Sequence, residues 1–199
     1  MGTYLNFFKK YASPGVKKSG LTITVSGLAG SGKDTVAKEI ARVFKLKFVN
    51  AGDIQRVFAK KQKISLSDSS KKLPTEVDYQ MDLQTLKLAV RGGYVIAGRL
   101  AGWVAGDFAD CRILVQCPQK IRIQRVMKRD CLPLNQAIKM IKERDVADQK
   151  RYWRLYKINL KNKKIYDLVI NNYKITIPQL KKKTIKLLKK IFKEKIWTR

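Results

Sequence analysis

The sequence predicts an α/β fold: a three-layer sandwich with a five-stranded parallel sheet and helices on both faces. Two observations carry that expectation. Apolar runs of strand length recur along the chain, each separated from the next by a stretch with helical spacing. The first of those runs also stops at a glycine-rich turn that opens directly into a helix face.

The elements follow in order. Leu21-Thr22-Ile23-Thr24-Val25-Ser26 is a β-branched run that ends at Gly27. Thr35 to Phe44 places Val36, Ala37, Ile40, Ala41 and Phe44 on one helix face. Lys47-Phe48-Val49-Asn50 is a second short strand, and Ile54 to Lys61 reads as a helix. Gln62 to Thr75 is polar, rich in Ser and Lys, and reads as a mobile connection. Asp78 to Arg91 is helical and is ended by Gly92-Gly93. Tyr94 to Ala97 and Arg112 to Val115 are the third and fourth strands. Pro118 opens a helix reaching about Lys128. Leu134 to about Tyr156 is a long basic helix, Leu168-Val169-Ile170 a fifth strand, and Ile177 to Trp197 a closing amphipathic helix.

The 199 residues are the size of one domain with short appendages, and 45% of them are apolar, enough for a core. We divide the chain into a basic extension at 1–20, a domain at 21–175, and a basic C-terminal helix at 176–199 packed on that domain. Histidine is absent. That excludes His-based acid–base catalysis, Ser-His and Cys-His triads, and His-containing metal sites. Cys111, Cys117 and Cys131 form no CxxC pair and are odd in number, which fits a reducing cytoplasm better than a disulfide framework. No apolar run reaches the roughly 18 residues of a membrane span. The net charge is +29, which attracts anions: nucleotides, nucleic acid or acidic lipid. Most of that charge is Lys, so the few Arg positions carry more information about phosphate recognition.

Gly27-Leu28-Ala29-Gly30-Ser31-Gly32-Lys33 matches G-x-x-x-x-G-K in the strand–loop–helix context the motif needs. Gly27, Gly30 and Gly32 let the backbone curl so that successive N–H groups point inward, and the helix adds its positive N-terminal end. Lys33 then reaches the β- and γ-phosphates of a nucleoside triphosphate. Where Ser or Thr normally ligates Mg²⁺, this chain has Asp34, with Thr35 one step later. Two roles are open for Asp34: metal contact through water, or pairing with the helix dipole.

Further blocks narrow the class. They are Ala51-Gly52-Asp53-Ile54-Gln55-Arg56, Gly98-Arg99-Leu100-Ala101-Gly102-Trp103, Glu143-Arg144-Asp145-Val146-Ala147-Asp148-Gln149-Lys150-Arg151-Tyr152, and Ile165 to Asn171. With the Gly27–Thr35 loop, they make the region from about Leu21 to Asn171 resemble the P-loop nucleoside monophosphate kinases, and most closely the archaeal-type cytidylate kinases. Adenylate kinases likewise lack Ser/Thr right after the loop Lys and carry Thr next.

The resemblance implies a P-loop NTPase fold with a small acceptor-binding helical insert at about 53–91 and a lid at about 130–151. It implies ATP, Mg²⁺ and transfer of a phosphoryl group to CMP or dCMP. Gly27, Gly30, Ser31, Gly32, Lys33, Asp34 and Thr35 would hold ATP, with Thr35 and Asp34 nearest the metal. Arg56 and Arg99 would hold the acceptor monophosphate, with Asp53 and Asp148 on the acceptor side. Asp82 matches a further acidic position there. Arg144 and Arg151 would close over the phosphates, Asp145 or Asp148 orienting Arg or contacting the base. Arg144, Asp148 and Arg151 also share one helix face, so an ordinary intrahelical salt bridge is the alternative. Arg122, Arg125 and Arg129 belong either to the donor side or to a solvated helix face. Ala97 stands where the archaeal-type pattern tends to have Glu. Two rivals remain: a kinase of this fold acting on UMP, AMP or dephospho-coenzyme A, and a basic nucleic-acid-binding P-loop protein. The expected state is a cytoplasmic monomer with weak nonspecific nucleic-acid association.

Overall fold

The computed structural model describes residues 20–61, 74–173 and 176–197. The extension before Gly20 and most of the polar 62–75 connection lie outside the described residues. Five parallel strands form one sheet: β1 (Thr22–Ser26), β2 (Lys47–Asn50), β3 (Tyr94–Gly98), β4 (Cys111–Gln116) and β5 (Leu168–Asn171), in the order β2-β3-β1-β4-β5. Seven helices join them among the described residues: α1 (Lys33–Phe44), α2 (Gly52–Lys61), α3 (Thr75–Arg91), α4 (Ala101–Ala105), α5 (Gln119–Asp130), α6 (Leu134–Tyr156) and α7 (Ile177–Trp197). A turn of 3-10 helix, Gly106–Phe108, follows α4.

The central strand explains the layering. All five residues of β1 are buried, and their side chains alternate between the two faces. Ile23 and Val25 face α1 and α7, joining Val36, Ile40, Ile113 and Leu188 in the largest apolar cluster. Phe192 of α7 meets Phe44 of α1 edge to face at 5.7 Å. The opposite face of β1 is hydroxylic. Thr22 donates its Oγ1 hydrogen to Ala89 O in α3 at 3.1 Å, and Ser26 Oγ accepts from Gly102 N in α4 at 3.0 Å. Hydrogen bonds thus dock α3 and α4 where methyl groups dock α1 and α7.

Element ends follow local chemistry. Gly32 caps α1 in the left-handed region, at φ 86°, so the helix begins on Lys33, two residues earlier than its apolar face shows. Pro118 and Pro133 cap α5 and α6. The helix α4 and the 3-10 turn after it are the described elements the sequence pattern did not give. Five residues are too few to show a 3.6-residue period.

Ile40 is fully buried between α1 and the sheet. Truncation Ile40→Ala should lower stability by about 2–5 kcal/mol in denaturant unfolding, with an unchanged m-value.

Candidate active site

In an open parallel sheet, ligands bind beyond the strand C-termini at the point where strand order reverses. Here that point lies between β1 and its neighbours, and β1 runs into the phosphate loop. A cavity of about 560 Å³ opens there. Ala29, Gly30, Gly32 and Lys33 form its base, and Asp34, Thr35, Arg56, Arg99 and Arg144 line its walls. Eight of the residues predicted to bind phosphates or metal therefore line one cavity, although they come from four separate stretches of chain.

The loop is held from behind. Gly30 is left-handed at φ 75°, and a Cβ on it would stand 2.8 Å from the backbone oxygen of Arg122, so only glycine fits that approach. Ser31 O accepts from Asn172 Nδ2 at 2.7 Å and from Arg125 NH1 at 3.1 Å. Ala29 O accepts from Arg122 NH1 at 3.1 Å. Asn171-Asn172 reads in the sequence as punctuation after a strand, so the anchoring role of Asn172 was missed. No local pattern marks it, because its partner is 141 positions away.

Electrostatics dominate the cavity. Arg125, Arg129 and Asp130 join its lining, and Arg129 is at the same time half-exposed to solvent. Arg129 is paired with Asp130 through two 2.7 Å contacts. Burial, above all, draws the Lys33 ammonium down to about 8; Arg99 and Arg144 add to that, and Asp34 opposes it. Burial and the Arg99 guanidinium likewise push Arg144 below the ordinary arginine range. The buried Arg144 Nε has no hydrogen-bond partner among the described residues. Such a cluster is repulsive by itself and is relieved by a polyanion. Asp34 faces the cavity: its Oδ1 accepts from Asn50 Nδ2 at 3.1 Å and its Oδ2 lies 3.4 Å from Lys33 Nζ. Asn50 is another residue whose role the sequence did not signal.

The remaining predicted residues stand elsewhere. Asp53 is exposed and forms an ion pair with Arg56 one helical turn on. Asp148 is fully buried behind the cavity and holds Arg99 Nε at 2.6 Å. Arg151 is also buried there, 3.3 Å from Asp148 and 3.5 Å from Asp78, so it does not line the phosphate cavity. The intrahelical salt bridge weighed for this face exists between Arg151 and Asp148. Ser31 is buried and does not line this cavity. Arg122 is locked to Asp145, NH2 to Oδ2 at 2.5 Å.

A small recess of about 40 Å³ continues from Arg99 between α3 and α4. Asp82, Thr85 and Tyr152 line it. Asp82 Oδ2 accepts from Tyr156 O–H at 2.5 Å. Burial raises its carboxyl to about 7, against the opposing effect of that hydrogen bond, and raises Asp78 to about 6. Both carboxyls favour the protonated form in the folded chain. The unfolded chain ionises first, so stability falls as pH rises from about 4 to about 7. No histidine confuses that window. Thermal unfolding temperatures should therefore be lower at pH 7.5 than at pH 5, and Asp82→Asn should shrink the difference; an equal difference in that variant would contradict the assignment.

The residues also admit a divalent cation. Asp34 and Thr35 offer oxygen ligands at the cavity, while no group of three or more acidic, Cys or His side chains able to hold a metal occurs among the described residues. That donor set suits Mg²⁺, which keeps its waters and takes substrate phosphates as ligands.

Comparison with known proteins identifies the family. The cytidylate kinase-like family matches residues 70–174. A curated cytidylate kinase of Pyrococcus horikoshii is 43% identical over 159 residues, 79% of this chain and 82% of its own length. That of Thermococcus sibiricus is 38% identical over 156 residues, 77% and 80%. Among solved structures, a gluconokinase from Sinorhizobium meliloti superposes with a TM-score of 0.62 at 11% identity, covering 92% of this chain and 99% of that one, which shows a shared fold. No described helix is long and apolar enough to cross a membrane. On sequence, fold and site together, this chain belongs to the cytidylate kinase-like family.

Proposed function

We propose that the chain transfers the γ-phosphoryl group of ATP to CMP, and to dCMP, giving the diphosphate. The observation that carries this is the cavity itself: Lys33, Arg56, Arg99, Arg125, Arg129 and Arg144 line it against only Asp34 and Asp130. Two nucleotides bring several phosphate charges to one point, and this lining is their complement.

The reaction needs alignment and charge neutralisation more than proton transfer. An oxygen of the acceptor monophosphate, already ionised at neutral pH, attacks the γ-phosphorus in line. The bond to the β–γ bridging oxygen breaks, and ADP leaves with that electron pair. No general base is required, which suits a chain without histidine. Lys33 and the loop amides hold the donor phosphates. Arg56 exchanges Asp53 for the acceptor phosphate, and Arg99, steadied by Asp148, takes its other side. Arg144 stabilises the charge spread over the transferring group. Asp34 and Thr35 would offer oxygen ligands to Mg²⁺, whose charge would screen the phosphates.

The acceptor nucleoside fits the side of the cavity where the recess behind Arg99 opens. Asp82 titrates near neutrality there and so can both donate and accept hydrogen bonds. The buried Asp78–Arg151–Asp148 network positions Arg99 rather than touching phosphate. The segment at about 130–151 closes as a lid and excludes water from the transfer. The enzyme works as a cytoplasmic monomer, with nucleic acid bound only weakly through its general positive charge.

Three measurements check this. ADP release from Mg-ATP should be fast with CMP or dCMP and slow with UMP, AMP, GMP and dephospho-coenzyme A. Turnover with a different acceptor would retain the site and overturn the substrate. No stimulation by any acceptor, with tight RNA binding that weakens steeply with salt, would favour the nucleic-acid reading. Replacing Arg99 by Ala should lower kcat/KM for CMP by about 100- to 1000-fold, by loss of a positioned charge. Finally, Lys33 is part-deprotonated at pH 8 in the free chain, and ATP phosphates raise its pKa. Calorimetry in two buffers of different ionisation enthalpy should therefore show proton uptake on ATP binding at pH 8, absent in Lys33→Met.

A further inference from the structure

The phosphate loop has two sides, and each walls a cavity. Ala29 and Gly30 face the phosphate cavity, whereas Leu28 and Ser31 face a second one of about 850 Å³ between β4 and α6. The second cavity has no part in the phosphoryl transfer described above. Its floor is apolar, made by Leu114 of β4, Val146 of α6 and Leu160. Its rim is cationic: Lys150 on α6, and Lys161 and Lys163 on the connection to β5.

The wall is built rather than incidental. Gln149 pins the connection to α6, its Nε2 donating to Ile158 O at 3.4 Å and its Oε1 accepting from Leu160 N at 3.2 Å. Asn159 and Asn162 then fix the lysine-bearing turn, accepting from Lys161 N at 2.9 Å and Lys164 N at 3.0 Å. Two buried polar atoms of lining residues, Ser31 Oγ and Arg122 Nε, have no hydrogen-bond partner among the described residues. The acid in the lining, Asp145, is already paired with Arg122.

We propose that this second cavity is an effector site for a small organic anion with an apolar body, and that its occupancy is coupled to nucleotide binding through the shared loop. The volume lies within the ordinary range for small-molecule sites. The lysine rim selects negative charge. The apolar floor needs a ring or hydrocarbon body, so inorganic phosphate alone would leave it wet.

The coupling has a physical route. Arg122 touches Ala29 O of the loop and the Asp145 carboxylate together. Arg144, the chain neighbour of Asp145, lines the phosphate cavity. A ligand that presses on Leu28 or engages Arg122 therefore shifts the loop and Arg144, and thermodynamic linkage makes the effect reciprocal.

The probe is 1-anilinonaphthalene-8-sulfonate, an apolar anion that fluoresces on burial, titrated into the full chain. Saturable one-to-one binding is expected. Lys161→Glu/Lys163→Glu should weaken it about 10-fold or more while leaving CMP turnover without probe unchanged, and Val146→Glu, at a half-exposed position, should weaken probe binding to a similar extent. Saturating probe should change the Mg-ATP dissociation constant by roughly 5-fold or more, and saturating Mg-ATP should change the probe's by the same factor. Complete competitive displacement by ATP would place the probe in the phosphate cavity and overturn the site. Equal binding in both variants, or no saturable binding, would also overturn it. An ATP affinity untouched by saturating probe would overturn the coupling. ATP binding alone is read in this arm, so its outcome is separate from that of the acceptor panel.

Discussion

A loop that turns its N–H groups inward to receive phosphate turns carbonyl oxygens the other way, and those oxygens need donors. The arrangement of the second half of the sheet follows from that constraint. Asn172 at the end of β5, and Arg122 and Arg125 on α5, supply the donors to Ala29, Gly30 and Ser31. Left unpaired, a buried carbonyl would be penalised by about 1–3 kcal/mol. The loop would then relax toward water and lose its curl. The curl of the loop is thus sustained by side chains from distant segments: Asn172 and Arg122 from outside the cavity, Arg125 from its wall.

Charge is organised on the same plan. The cavity concentrates cations, and the acids that steady them sit behind it. Asp148 is buried against Arg99 and Arg151, and Asp78 against Arg151. Removing one member of such a network would leave a buried charge uncompensated, a larger loss than the pair itself contributes. The total charge of +29 explains none of this by itself. What matters is that several arginines meet at the C-terminal end of the strands with few acids in view.

The fold was legible because strand and helix periods differ and glycine marks their boundaries. All five strands and six of the seven described helices followed from the pattern of residues such as Ile23, Val25, Val36 and Ile40; the short α4 did not. The loop and Lys33 were legible for a related reason: amide curl demands glycines at fixed spacing. Arg56 and Arg99 were expected at this end of the sheet because ligands collect at strand C-termini, and Arg144 because of the family resemblance; all three line the cavity. Arg151 was legible as important but not in its placement, since helical spacing gives a face and not its depth. Asn50, Asn172 and the Asp82–Tyr156 contact were illegible. Each is a pairing between distant segments, and an isolated Asn or Tyr leaves no periodic trace.

The anchoring of the loop by Asn172 also bears on the order in which the protein is made. The loop leaves the ribosome early, with most of the sheet still to come. Its carbonyl partners arrive on α5 and, last, at the far end of β5. A nascent chain halted before residue 172 would carry a complete glycine motif and no finished nucleotide cradle. Competence to bind ATP is therefore conferred late in synthesis, near the moment the last strand joins the sheet, and a partly made chain would not sequester nucleotide while it waits.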